Sequence, residues 1–192
     1  LASNYTYTTV RGTDNSVSLG RANLTLAPVM DTKIYDGTQT SSQAVVVTNT
    51  SGSGDVVVAQ QEFASKNALG SGGSTLQVKS GYTVVDSQSA DMSGNYVITA
   101  SGTAAGTITP KQVQLSASKT YDGSTALSGN QLTITTGVGS ETLGYSAATI
   151  SNKNVADNVT NRVSSVTLTD GTGGLASNYT YTTVRGTDNS VS

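Results

Sequence analysis

The sequence predicts an all-β protein built as two small modules in series. Three observations carry this prediction. Short runs alternate apolar and polar residues, turn-forming Gly, Ser, Asn and Asp separate those runs, and a set of sequence marks returns in the same order further along the chain.

Alternation runs through residues 75–78, 95–99, 132–134 and 165–168, each run bounded by turn formers. Val, Ile, Thr and Tyr favour a pleated, half-buried surface, so these segments are expected as strands, about six or seven per module. The glycine pairs Gly72-Gly73 and Gly173-Gly174 are expected at turns. Only VAQQEFASKNAL (residues 58–69) has a helix-like composition. Its counterpart at 145–157 is rich in Ser, Thr, Asn and β-branched residues, so both are expected as strand with a short turn.

The period sets the domain organisation. LASNYTYTTVRGTDNSVS stands at residues 1–18 and again at 175–192, 174 positions later (175 minus 1). Within that distance, KIYDGTQ at 33–39 returns as KTYDGST at 119–125, which separates Tyr35 from Tyr121 by 86 (121 minus 35). ASKN at 64–67 is answered by SNKN at 151–154, and GNYVIT at 94–99 by SNYTYT at 177–182. Two diverged modules are expected at 21–110 and 111–192, with 1–20 as the tail strands of a preceding repeat and the whole as a slice of a longer tandem array. A parallel β-helix would repeat at a much shorter interval, about 20–30 residues.

The repeated end also predicts structure. Residues 175–192 are expected as late strands of the second module, with Tyr179 and Tyr181 on one face and Thr180 and Thr182 on the other. Residues 1–18 carry the same letters without the rest of their module, and strand exchange into the slot of 175–192 in another molecule is expected at high concentration.

Composition narrows the chemistry. The chain of 192 residues has no Cys, His or Trp, two Pro, 11% charged residues and a net charge of -2. The main ligands of zinc, copper, haem and iron-sulfur sites are missing, as is the imidazole most acid-base mechanisms use. No G-x-S-x-G run occurs either. No catalytic residue, cofactor or metal is expected, and the protein is read as not an enzyme. The weak acidic charge gives no footprint for nucleic acid, and no apolar run reaches the length of a membrane helix, so neither nucleic acid nor membrane insertion is expected. Absence of Cys suits a chain that crosses membranes unfolded, where a premature disulfide would block passage.

With one Phe and no Trp, the cores must be made of Val, Leu, Ile and Tyr, and modules of this size gain from contact with neighbours. The junctions at 106–115 and 17–26 are therefore expected to be short and partly buried, with Pro110 between strands of successive modules.

The mark K-x-Y-D-G at Lys33, Tyr35, Asp36 and Gly37 and at Lys119, Tyr121, Asp122 and Gly123, the K-N pairs, the late N-Y strands at Asn95-Tyr96 and Asn178-Tyr179, and I-T-P-K at 108–111 together resemble the YDG and MBG-type repeats of large bacterial surface exoproteins. Those repeats occur in filamentous-haemagglutinin-like and high-molecular-weight-type adhesins. The resemblance implies an extracellular stalk on a Gram-negative surface, exported by two-partner secretion or a related route, that projects a distal region towards host surfaces, other cells or a biofilm. Its immediate partners would be neighbouring repeat modules. Whether the sheets form an immunoglobulin-like sandwich or a β-grasp-like fold is left open. The alternative is a module that itself binds a host glycan, a matrix protein or neighbouring cells.

Most marks also have a plain reading. Asp-Gly is a standard turn pair, with Tyr packing nearby and Lys solvated. The five sequons at Asn4, Asn23, Asn49, Asn158 and Asn178 match what 13 Asn among 58 Ser and Thr produce by chance. The aspartates are scattered among Gly and Asn without a D-x-[DN]-x-[DN]-G calcium loop. Lys66, Asn67, Lys153 and Asn154 offer partners for a Lys–Asn cross-link, which is not expected. Binding platforms and hot spots lean on aromatic residues and Arg. Here nine Tyr and one Phe must first serve two cores, and Arg stands only at Arg11, Arg21, Arg162 and Arg185, so a spacer is favoured.

Overall fold

The computed structural model describes residues 17–49, 51 and 53–192. The expected tail at 1–20 and its strand exchange fall mainly on residues 1–16, outside the described residues.

The described chain is almost entirely β, in two tandem modules. The first holds β1 (Ala22–Ala27), β2 (Asp31–Ile34), β3 (Val46–Asn49), β4 (Val56–Val58), β5 (Gln61–Phe63), β6 (Gly70–Val78), β7 (Thr83–Val85), β8 (Tyr96–Ala100) and β9 (Ala104–Thr109). The second holds β10 (Lys111–Gln112), β11 (Gln114–Ala117), β12 (Ala126–Leu127), β13 (Leu132–Thr135), β14 (Leu143–Ile150), β15 (Val163–Asp170), β16 (Tyr179–Thr180) and β17 (Asn189–Val191). The four alternating runs fall on β6, β8, β13 and β15, and residues 58–69 hold the end of β4, β5 and the bends that lead to β6. The strands outnumber the six or seven expected because bulges, bends and Pro110 cut long extended segments into shorter pieces.

Both modules use the same pairing, and this is the structural form of the repeat. The opening strands run parallel to the closing ones: β1 beside β8 with Ala22 opposite Tyr96, β2 beside β9, β10 beside β16 with Lys111 opposite Tyr179, and β11 beside β17. Antiparallel hairpins β5–β6 and β14–β15 complete the main sheets, ordered β2-β9-β6-β5 in the first module and β12-β14-β15 in the second. No α-helix occurs among the described residues, so neither module carries the helix that a β-grasp packs across its sheet.

The two glycine pairs do different work. Gly173-Gly174 sits at a chain reversal, with the Gly171 N–H donating to the Gly174 carbonyl at 3.0 Å. Gly72-Gly73 instead lies inside β6, at a register shift against β9 between Gly70 and Ser74. A Cβ on Gly73 would fall 2.2 Å from the Leu69 carbonyl oxygen, so the pair makes a bulge rather than the expected turn.

Two apolar clusters form the core. Leu24, Leu26, Val84 and Tyr96 make a small one under β1 and β8. The larger one is continuous across the modules: Tyr35, Phe63, Leu76 and Ile108 of the first pack in one cluster with Val113, Leu115, Val163, Tyr179 and others of the second. The connection between modules shares in this. Gly106, Ile108, Val113 and Leu115 are buried, with Pro110 alone between β9 and β10. At the other expected junction, residues 17–21 are exposed and burial begins only with β1.

Buried amides close the gaps between strands. Gln61 Oε1 accepts the Val29 N–H at 2.7 Å while its Nε2 donates to the Val29 carbonyl at 2.9 Å and to Ser41 Oγ at 2.9 Å. Asn189 accepts the Val163 N–H at 2.8 Å and donates to the Val163 and Thr182 carbonyls. Each satisfies backbone groups that no ladder reaches.

Gly106 has no room for a side chain: a Cβ there would meet Phe63 Cε1 at 2.8 Å and Leu76 Cδ1 at 3.1 Å. Gly106→Ala is expected to cost about 1–3 kcal/mol through overpacking of the shared core. Urea denaturation followed by tyrosine fluorescence measures this, and a midpoint equal to wild type would contradict the packing described.

Candidate functional site

The K-x-Y-D-G marks build the same turn twice. Lys33 Nζ donates to Asp36 Oδ1 at 2.8 Å and to the Thr38 carbonyl at 2.7 Å, and Asp36 Oδ1 accepts the Thr38 N–H at 2.9 Å. Lys119 Nζ pairs with Asp122 Oδ1 at 2.9 Å and donates to the Ser124 and Ala126 carbonyls, while Asp122 accepts the Ser124 N–H. The glycines lie in the left-handed region, Gly37 at φ 80° and Gly123 at φ 77°, where a Cβ is strained. The lysines are not solvated as expected: their side chains are only 15% and 5% exposed, because the ammonium reaches back to satisfy the turn's carbonyls. Burial alone would raise the Asp36 carboxyl, but the bonds from Lys33 and Thr38 outweigh it and hold it below the usual range. Asp122 is likewise lowered, chiefly by the hydrogen bond from Lys119.

The tyrosines of the two turns part company. Tyr35 is 1% exposed and Tyr121 59%. Tyr35 is covered by the second module: its ring meets the Tyr179 ring edge-on, 5.3 Å between centroids at 77°. Both hydroxyls donate to one carboxylate, Tyr35 Oη to Glu141 Oε1 at 2.8 Å and Tyr179 Oη to Glu141 Oε2 at 2.7 Å. Lys66 Nζ adds an ion pair to Oε1 at 3.2 Å. Beside them Asn178 Oδ1 accepts the Ala68 N–H at 2.8 Å and its Nδ2 donates to Asn67 Oδ1 at 3.0 Å. Gly37 closes the contact, since a Cβ there would stand 2.8 Å from Val138 Cγ1.

The marks singled out in the sequence thus meet in one place. Tyr35 and Gly37 of the first turn, the Lys66-Asn67 pair and the Asn178-Tyr179 strand converge on the module junction. Lys119, Tyr121, Asp122, Gly123, Asn95 and Tyr96 do not join it. Tyr179 and Tyr181 both turn to the core while Thr180 is exposed. Sequence reasoning missed Glu141 and Val138. Glu141 had a signal: it is one of two Glu in the chain and stands 86 positions after Asp55 (141 minus 55), the module period. Asp55 plays the matching part in the first module, accepting Tyr96 Oη at 2.6 Å.

Electrostatics follow from this packing. Burial pushes the Glu141 carboxyl up, but donors from Tyr179, Tyr35 and Lys66 and the Lys66 charge outweigh it, leaving it below its ordinary value. Burial and the carboxylate's acceptor oxygens push both tyrosine hydroxyls up. The cluster is a clamp of one anion by three donors, with no unoccupied nucleophile or base in it.

A family model described as the YDG domain matches this chain twice, over residues 20–105 and 103–186. The chain belongs to the YDG domain family. No curated protein and no solved structure matches it significantly. In both YDG domains the Tyr-Asp-Gly signature is a lysine-clamped turn, and in the first its Tyr35 serves the contact with the second. Lys66 and Asn67 are each engaged across the junction rather than with each other, and the Asn178 sequon amide is fully buried, whereas Asn23 and Asn158 are exposed. Among the described residues no group of three or more acidic side chains is gathered in a form that could hold a metal ion.

Glu141→Gln leaves the tyrosines and Lys66 without their anion. Its side chain is only 12% exposed, so the expected cost at neutral pH is about 1–3 kcal/mol. The 43% exposed Lys66 adds little to that figure. A carboxyl lowered by folding stabilises above its ordinary value of 4.5, and that contribution is lost as pH falls through the lower folded value. Hydroxyls raised by folding stabilise below 10.0 and lose that contribution as pH climbs through their raised values. The gap in stability between wild type and Glu141→Gln should therefore stay flat from about pH 5 to 9 and shrink at the acid end. Denaturation at several pH values checks this, and a gap independent of acid would refute it. A paired substitution isolates the contact: Gly123→Ala should cost about 1–2 kcal/mol for left-handed backbone alone, and Gly37→Ala about 1–3 kcal/mol more for the clash with Val138. Equal costs in a side-by-side melt would contradict the close approach.

Proposed function

We propose that this YDG pair is a non-enzymatic spacer segment of a large bacterial surface adhesin, exported to the Gram-negative outer surface, where it holds a distal binding region away from the cell. The observation that supports it most is the single apolar cluster running from one domain into the next through an interstrand step of one proline. Domains that share a core and an ion-clamped contact cannot pivot freely, so each pair adds length without adding a hinge. The chemistry fits. His and Cys are absent, and the carboxylates that stand out are occupied as turn clamps and acceptors rather than poised over a cleft. Absence of Cys suits passage through a secretion pore in an extended state.

Direct binding of a glycan or matrix protein has less support. The large exposed apolar side chains are mainly scattered valines, and the YDG tyrosine of the first domain is spent inside the junction.

Spin labels at Gln88→Cys and Asn158→Cys, one on an exposed site of each domain, test stiffness cleanly because the chain has no other Cys. One narrow distance distribution by double electron–electron resonance is expected, and a broad one typical of a flexible tether would overturn the spacer reading. Location is tested separately: antibodies to this segment should label intact cells of the producing bacterium, and labelling only after permeabilisation would overturn the surface assignment.

A further inference from the structure

Each domain is entered and left by strands that lie side by side. In the first, β1 and β2 carry the chain in, β8 and β9 carry it out, and the two pairs run parallel. Ala22 to Leu26 stand opposite Tyr96 to Ala100 in one sheet, and Asp31 to Ile34 opposite Gly106 to Thr109 in the next. Contact continues past both ladders, with the Ser101 N–H donating to the Leu26 carbonyl at 3.0 Å and the Tyr35 N–H to the Thr109 carbonyl at 2.8 Å. In the second domain β10 and β11 lie parallel to β16 and β17. The ladders are shorter there, and side chains extend them: Gln112 Nε2 donates to Asp188 Oδ2 at 2.8 Å and Gln114 Nε2 to Asp188 Oδ1 at 3.4 Å.

The parallel arrangement decides how tension enters the fold. Because entry and exit strands point the same way, the start of β1 lies at one end of the pair, beside Tyr96, and the end of β9 lies at the other, beside Ile34. A pull on the chain at both sides of the domain therefore acts along the strands in opposite directions and slides one past the other. Sliding loads all the cross-strand bonds together, so no single bond takes the whole force. Antiparallel entry and exit strands would put both points of attachment at the same end, and the bonds would peel one at a time. Sliding must also unseat Leu24, Leu26, Tyr96 and Ile108, which these strands bury in the core. Everything between, β3 to β7 in the first domain and β12 to β15 in the second, hangs outside the path of the force. Pro110 alone separates β9 from β10, so the strand that leaves the first lock becomes the strand that enters the second.

We propose that both domains are force-bearing units, each locked against tension by shear between its entry and exit strands, and that the pair serves as a tether that holds load without unfolding. This goes beyond a spacer, which needs only length and stiffness. It rests on strand direction and holds whether or not the chain stands on a bacterial surface. Spin-label distances test stiffness without load, so either reading can fail without the other.

Single-molecule pulling of the full chain through pairs of introduced cysteines reads the effect of direction, since the chain has no Cys of its own. Arg21→Cys with Thr109→Cys loads the first domain in shear. Arg21→Cys with Asn95→Cys pulls the same entry and exit strands apart from one end, where Ala22 stands opposite Tyr96. All three positions are exposed, so the fold is not at risk. At equal pulling speed the shear pair should need at least about twofold more force to unfold the domain than the peeling pair, because forced unfolding follows the barrier along the direction pulled. Equal forces, or a lower force in shear, would overturn the proposal. Thr109→Cys with Ser192→Cys loads the second domain in shear, and adding Asp188→Ala should lower its unfolding force while the first domain's stays unchanged. An unaltered force in the second domain would overturn the part given to Gln112, Gln114 and Asp188 in the lock.

Discussion

One nearly buried carboxylate organises the contact between the domains. Glu141 is desolvated by the Tyr35 and Tyr179 rings, and a desolvated charge is tolerable only when its lone pairs are filled. Its three donors come from the YDG turn, from the Lys-Asn segment between β5 and β6, and from the start of β16, which are distant in sequence. All three must be in register at once, so the carboxylate fixes the angle and depth at which one domain meets the next. Apolar contact supplies most of the attraction but little direction. The clamp supplies direction.

The arrangement depends on turns that are finished before the domains meet. Lys33 and Lys119 close their turns with the same bonds although one turn lies at the junction and the other at a free face. The tyrosine is therefore presented by local structure and buried by the neighbour, which costs little reorganisation on contact. Parallel pairing of opening and closing strands has a related consequence. It brings β9 out beside β2, directly under the YDG turn, so the chain enters the next domain at the place where the contact forms. Core, connection and clamp coincide, and this underlies the proposed use as a stiff spacer.

Much of this is legible in the sequence because it is local. Period-2 alternation locates strands β6, β8, β13 and β15, and the spacing of Tyr35 and Tyr121 gives away the repeat. The Asp-Gly turns follow from the glycine's freedom at positive φ. Sequence reasoning fails where a distant group decides the outcome. It predicts solvated lysines in the turns because nothing in K-x-Y-D-G says that carbonyls five and seven residues on will face the ammonium. It predicts a turn at Gly72-Gly73 because a bulge and a reversal ask for the same residue, and only the partner strand distinguishes them.

The sequence by itself determined the all-β class, the two-domain repeat, the turns and the exclusion of His- and Cys-based chemistry, since each depends on side-chain type or on spacing within a few residues. Only the tertiary structure decided that Tyr35 is buried and Tyr121 exposed, that Asn178 is an interdomain ligand for backbone rather than a glycan acceptor, and that Glu141 is the centre of the contact. Identical local motifs cannot differ by their own chemistry. Burial is a property of what packs against them, and here a neighbouring domain covers one copy and leaves the other in water.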